Sequence, residues 1–142
     1  MNELPKYVFR GSSEGFRGNN TQNSLPATPT TPNPAKATIF AMDANYNYRK
    51  DGVIYVVECE KLKNIRVEKN WFSTPEDEIG FIMKPGDFQD LASYKVQVKT
   101  MKEVLKQHGV IIEYDPFTPL TDQLILIPTI SSENVNEIVS SL

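Results

Sequence analysis

Thr28-Pro29-Thr30-Thr31-Pro32-Asn33-Pro34-Ala35-Lys36-Ala37-Thr38-Ile39-Phe40-Ala41 is the segment from which the rest of this chain can be organised. Its first half is hydroxyl and proline chemistry, which belongs to loops and strand ends. Its second half changes to helical spacing. Ala37, Phe40 and Ala41 fall on one face, and Pro34 sits near the first turn, where its missing N–H is no loss. The pattern predicts a helix over Ala35–Ala44 entered from a hydroxyl-rich segment.

Upstream, Tyr7-Val8-Phe9-Arg10 reads as a short strand ending at Gly11. Residues 11–34 are rich in Gly, Asn, Ser, Thr and Pro. They read as a loop longer than a compact domain usually carries without a binding role. Downstream, Asp51-Gly52 is a turn signal. Val53–Glu58 is a nearly unbroken β-branched run and predicts a buried central strand. Lys61–Arg66 is a polar connector. Glu76–Met83 reads as a further strand, closed by Lys84-Pro85-Gly86-Asp87, and Tyr94–Val98 as a half-exposed one. Thr100–Gln107 is an amphipathic helix with Met101, Val104 and Leu105 inward and Gly109 as its stop. Val110–Tyr114 and Leu124–Ile127 read as two more strands, and Ser132–Leu142 as a helix capped by Ser131 or Ser132. The class is α+β with more strand than helix.

The 142 residues fit one domain, 1–142. Hydrophobic residues are 39% and charged residues 23%, inside the globular range. No apolar run approaches the ~18 residues of a membrane span, and Met1–Lys6 holds no apolar core of a signal peptide. The expectation is a protein of the cytoplasm, of the producing or of a target cell, with no membrane partner. A net charge of −3 and a pI near 5.2 argue against a broad basic surface for nucleic acid. One cysteine and one histidine leave no internal disulfide and no Cys/His zinc site. Cys59 reads as a buried small residue, and His108, before Gly109, as a helix-end residue. The remaining candidates for chemistry are carboxylates, hydroxyls and an arginine.

Three pieces stand in order: Arg10-Gly11, the Thr28–Ala41 segment, and Glu76-Asp77-Glu78-Ile79. Singly, each has a plainer reading. Arg10 could form a strand-edge ion pair, and the Thr-Pro stretch could be a loop into a helix cap. The acidic run could be a solvated turn or the first turn of a helix. Together they resemble the arginine, Ser-Thr-Ser and Glu-x-Glu motifs of the ADP-ribosyltransferase superfamily, in its bacterial toxin-like branch. The resemblance spans roughly residues 7–98, and Pro29-Thr30-Thr31 departs from the hydroxyl triplet at its first position. A second segment, Asp122-Gln123-Leu124-Ile125, also resembles the family's strand, but Leu124 stands where the key glutamate belongs.

The resemblance implies two packed, twisted β-sheets with peripheral helices and an NAD cleft between them. It implies a mono-ADP-ribosyltransferase that cleaves NAD and transfers ADP-ribose to a macromolecular acceptor, protein or nucleic acid, with no metal. An immunity protein or antitoxin is the implied partner. NAD glycohydrolysis and a degenerate, non-catalytic binding domain are the alternatives. Arg10 offers a fork of donors to phosphate or ribose oxygens. Gly11 allows close backbone approach to a ring, and Thr30 and Thr31 shape the site. Glu78 would stabilise the cationic ribose left as nicotinamide departs, as carboxylates do in glycosidases. Glu76, two residues earlier, would share a strand face with it at roughly 6.5–7 Å and handle the acceptor. Trp71 and Phe72 fall where the family contacts acceptor or nicotinamide, although Trp71 equally suits a core position.

Overall fold

The computed structural model describes residues 4–14, 27–48, 51–68 and 77–142. Within them the chain forms β1 (Tyr7–Ser13), β2 (Ala27–Thr30), α1 (Pro34–Tyr48) and β3 (Gly52–Glu58). A single 3₁₀ turn over Cys59–Leu62 follows, then β4 (Ile79–Ile82), α2 (Pro85–Asp90) and β5 (Tyr94–Gln97). The chain closes with α3 (Val98–Gln107), α4 (Leu120–Ile125) and α5 (Ser132–Ser140). β1, β3 and β5 make one antiparallel sheet in that order, and β2 and β4 make a second. The protein is thus α+β, with two small antiparallel sheets and several helices. No helix among the described residues is long and apolar enough to cross a membrane.

β3 is buried along all but its last residue because it lies centrally and is covered on both faces. On one face, Phe9, Ile54, Val56 and Val96 pack with α1, α3 and α5 through Ala37, Ile39, Met101, Leu105 and Ile138. On the other, Val8, Val53, Tyr55 and Val57 pack against Ile79 and Phe81 of β4 and Phe88 of α2. Alternate residues of each strand therefore feed two cores, as the two-residue period of a strand requires. α1 lies very close to the larger sheet. A Cβ on Gly11 would run into the Ala37 carbonyl, and one on Gly52 into the Ala41 carbonyl. The small residues Ala35, Ala37 and Ala41, all fully buried, make that approach possible from the helix side.

Several boundaries and two assignments differ from the sequence reading, and among the described residues helix exceeds strand, the reverse of the expected balance. β1 runs on to Ser13, and β2 lies inside the segment read as loop. Pro85 opens a short helix instead of closing a strand. Val110–Tyr114 has no regular secondary structure; Val110 and Ile112 are buried while Ile111 is 77% exposed. Leu124–Ile127 is not a strand: α4 covers Leu120–Ile125. There Leu120, Leu124 and Ile127 meet the core at helical spacing, while Ile125 and Leu126 are exposed. Gln123, buried on α4, ties this helix to the preceding turn through Asp115 and Thr118. A short apolar run has no period of its own long enough to separate strand from helix, and here the turn bonds decide.

Candidate functional site

Besides their packed faces, the two sheets are joined, among the described residues, by an antiparallel bridge. Phe9 N–H donates to Thr31 O at 2.8 Å, and Thr31 N–H donates to Phe9 O at 2.9 Å. Phe9 therefore turns its backbone groups away from β3. Two residues later, Gly11 turns its N–H and C=O to that same outer edge. Extending the bridge by two residues would set Gly11 against Pro29, which has no N–H to give. The ladder stops and the strands part. Pro29 does not harm the β2–β4 pairing, because Thr31 faces β1 and residue 29, two positions away, does too.

The opening that results is a cavity of about 100 Å³ lined by Phe9, Arg10, Gly11, Pro29, Thr30, Thr31, Phe40 and Glu78. It gathers Arg10, Gly11, Thr30, Thr31 and Glu78, residues that the sequence singled out in three separate pieces. Glu76, Trp71 and Phe72 lie outside the described residues. A wider groove of about 740 Å³ opens elsewhere, between α1 and α3, with Tyr46, Tyr114, Lys99, Lys102 and Lys106 on its walls. It contains none of those five residues, so size and chemistry point to different places. The smaller cavity is preferred because it brings together a guanidinium, hydroxyls and a carboxylate, the groups that a reaction on a dinucleotide would use.

Each side chain is held by a separate element. Arg10 crosses the gap between strands and donates from Nη1 to Pro29 O at 2.9 Å. Its Nε is buried without a hydrogen-bond partner among the described residues. Burial lowers the Arg10 pKa, with Tyr55 acting in the opposite direction; an arginine nonetheless keeps its charge at any ordinary pH. Thr30 Oγ donates to Ile79 O at 2.8 Å, locking the end of β2 to the start of β4 directly beside Glu78. Thr31 Oγ accepts from Asn33 N–H at 3.1 Å. Asn33 in turn caps α1: its Oδ1 accepts from Ala35 N–H at 2.9 Å and Lys36 N–H at 3.3 Å. Thr30 and Thr31 thus act as fasteners of strand and helix while also lining the cavity.

Two positions carry structure that the sequence reading did not include. Gly11 is also required by helix packing, since the Ala37 carbonyl occupies the space of a side chain. Glu76 lies outside the described residues, and Glu78 precedes the strand instead of lying within it. β4 begins only at Ile79, and Asp77 has φ 53°.

Asp77 also belongs to a contact the sequence reading missed. Its Oδ2 meets Lys36 Nζ at 2.9 Å, and the lysine side chain is only 8% exposed. Lys36 carried one signal in the sequence, a cation between two alanines in the first turn of an apolar helix. Its partner, 41 residues away, carried none.

No family model matches the chain, and no curated protein or solved structure matches it either. Function is therefore to be argued from these residues themselves.

Proposed function

We propose that the protein is an NAD-consuming ADP-ribosyltransferase whose site is the cavity between β1, β2 and the start of β4. What supports this reading is the convergence of Arg10, Gly11, Thr30, Thr31 and Glu78 on one opening. Three features fit NAD as substrate. The orphaned Arg10 Nε is a buried donor with an unmet need for an acceptor such as a ribose or phosphate oxygen. The N–H and C=O of Gly11, on the outer edge of β1, suit the two ends of a carboxamide. Phe9 and Phe40 give the cavity apolar walls for a ring. At about 100 Å³ the enclosed part is well below the 300–1,000 Å³ of a whole-ligand pocket. It takes the ring end of the dinucleotide, and the pyrophosphate and adenosine lie across the open surface beside it.

In the reaction, the bond between the ribose anomeric carbon and the nicotinamide nitrogen breaks, and its electron pair leaves with the neutral nicotinamide. The ribose is left with oxocarbenium character. Glu78 stabilises that charge and holds the 2′-hydroxyl. A nucleophilic acceptor atom forms the new bond and releases its proton to a base. Arg10 anchors the dinucleotide, and Thr30 holds the backbone that presents Glu78.

The test is incubation of the purified protein with labelled NAD, with and without cell lysate. Nicotinamide release with label passing to a macromolecule is the expected result, and nuclease or protease sensitivity of the product names the acceptor class. Glu78→Gln should lower the rate about 10²–10³-fold, the usual loss for one preorganised electrostatic group. Free ADP-ribose as the sole product, with lysate present, would make the enzyme a glycohydrolase. No nicotinamide release, together with no change in melting temperature on adding NAD, would overturn the reading.

A further inference from the structure

Lys36 violates two local rules at once. It stands in the first turn of α1, where the helix dipole disfavours a cation. It is also only 6% exposed, and buried lysines require a counter-charge. Asp77 adds a third irregularity, a left-handed φ of 53°, uncommon outside glycine although aspartate and asparagine adopt it more readily than other residues. The two residues are joined by the 2.9 Å ion pair. Local rules broken together, beside a cavity, are a mark of a functional device.

We propose that Lys36 is a positioning residue: by gripping Asp77 it imposes the left-handed turn that delivers the next residue, Glu78, to the cavity. This rests on the reading of Glu78 as the carboxylate that acts on NAD. The grip has a firm base. α1 is capped by Asn33, which is tied to Thr31, and the helix is seated on β1 at Gly11. On the far side of Glu78, Ile79 O is held by Thr30 Oγ. Glu78 is thus flanked by two clamps, one from each side of the Thr31-Pro32-Asn33 corner. One clamp acts on its preceding residue through charge and the other on its following residue through a hydrogen bond. The same short segment of chain that lines the cavity therefore also sets the direction from which Glu78 enters it.

The experiment compares Lys36→Met, Lys36→Arg and the double variant Lys36→Met/Asp77→Asn with the parent and with Glu78→Gln. Folding is monitored by thermal melting. The double variant removes both charges of this ion pair, so it stays informative if Lys36→Met alone does not fold. Two readouts are taken. In NAD turnover, Lys36→Met should lower kcat roughly ten- to hundredfold, as misplacement of a reacting group does, with KM for NAD nearly unchanged. Lys36→Arg should restore most of that loss. In NMR, the strong intraresidue Hα–HN contact of a positive φ at residue 77 should weaken in Lys36→Met, and the Glu78 amide should shift. In the double variant that contact should return in part, because asparagine tolerates the left-handed region. An unchanged residue-77 contact and Glu78 amide in folded Lys36→Met would overturn the positioning role, whatever the enzyme's activity. A fully active Glu78→Gln would instead overturn the role of Glu78. Impaired Glu78→Gln beside fully active Lys36→Met would sink the clamp alone.

Discussion

Arg10 shows how much one side chain can be asked to do. It bridges the two strands through Nη1 and Pro29 O, and it buries Nε with no acceptor among the described residues. A buried unsatisfied donor is costly and rare in folded proteins, so its persistence is an argument for a ligand atom at that place. Lysine would keep the charge but lose the planar fork. Arg10→Lys is expected to weaken NAD binding by roughly 1.5–3 kcal/mol, about ten- to a hundredfold, with much less effect on the rate at saturating NAD. Titration calorimetry against the Glu78→Gln background, where NAD is consumed slowly, would measure it. Equal affinities would remove Arg10 from the site. Gly11 teaches the opposite caution. Its lack of a side chain is explained by the Ala37 carbonyl alone, so loss of function on replacing it would say nothing about a ligand.

Among the elements, α1 is the one on which the site hangs. Asn33 caps it, and its Nδ2 donates to Pro128 O at 3.0 Å, reaching the segment after α4. Thr31, Asn33 and Pro34 make the corner between β2 and α1, and that corner places both Thr30 and Lys36. Asn33→Ala removes the cap and the long-range bond together. The expected cost is about 1–2 kcal/mol, or a fall in melting temperature of roughly 3–8 °C. Calorimetry would record it; a change under 1 °C would mean that the corner holds without its cap. The elements also mark what was legible. β1, β3, β5, α1, α3 and α5 follow from local pattern, because each carries enough residues to express a period or a cap. Ser131 Oγ accepts from Asn134 N–H, for instance, just where a terminal-helix cap was expected. The segment 110–114 and α4 do not follow, since their apolar runs are too short to express one, and neighbouring turns decided them.

Across the whole molecule, the two cores on the two faces of one sheet hold a thiol inside one and a phenol at the edge of the other. Burial pushes the Cys59 thiol up from 9.0 to about 12. Burial, with the hydrogen bond to Asp43 and neighbouring negative charge, pushes the Tyr114 phenol up from 10.0 to about 12. For both groups the folded pKa exceeds the unfolded one, so the fold favours the protonated form. That contribution is complete below about pH 9, and it is lost as pH climbs from there toward about 12. Denaturant unfolding should therefore show stability falling over this alkaline range, and Cys59→Ala should fall less steeply. Identical slopes for the two proteins would place the thiol in contact with solvent. Near neutral pH the same thiol is protonated and unreactive, which keeps it out of the chemistry.

From the residues alone came the α+β class, the principal strands and helices, and, through a resemblance to ordered family motifs, eight candidate site residues, five of them among the residues described. The strands and helices depend on neighbours within a few positions, where period, capping and side-chain type speak directly. The tertiary structure decided that the five share one cavity, that the strands part at Pro29, and that Gly11 makes room for a helix. It also decided that Lys36 reaches Asp77 across 41 residues and that Asp77 is left-handed. These depend on which surfaces meet when two sheets and a helix close on each other, and no local pattern encodes that meeting.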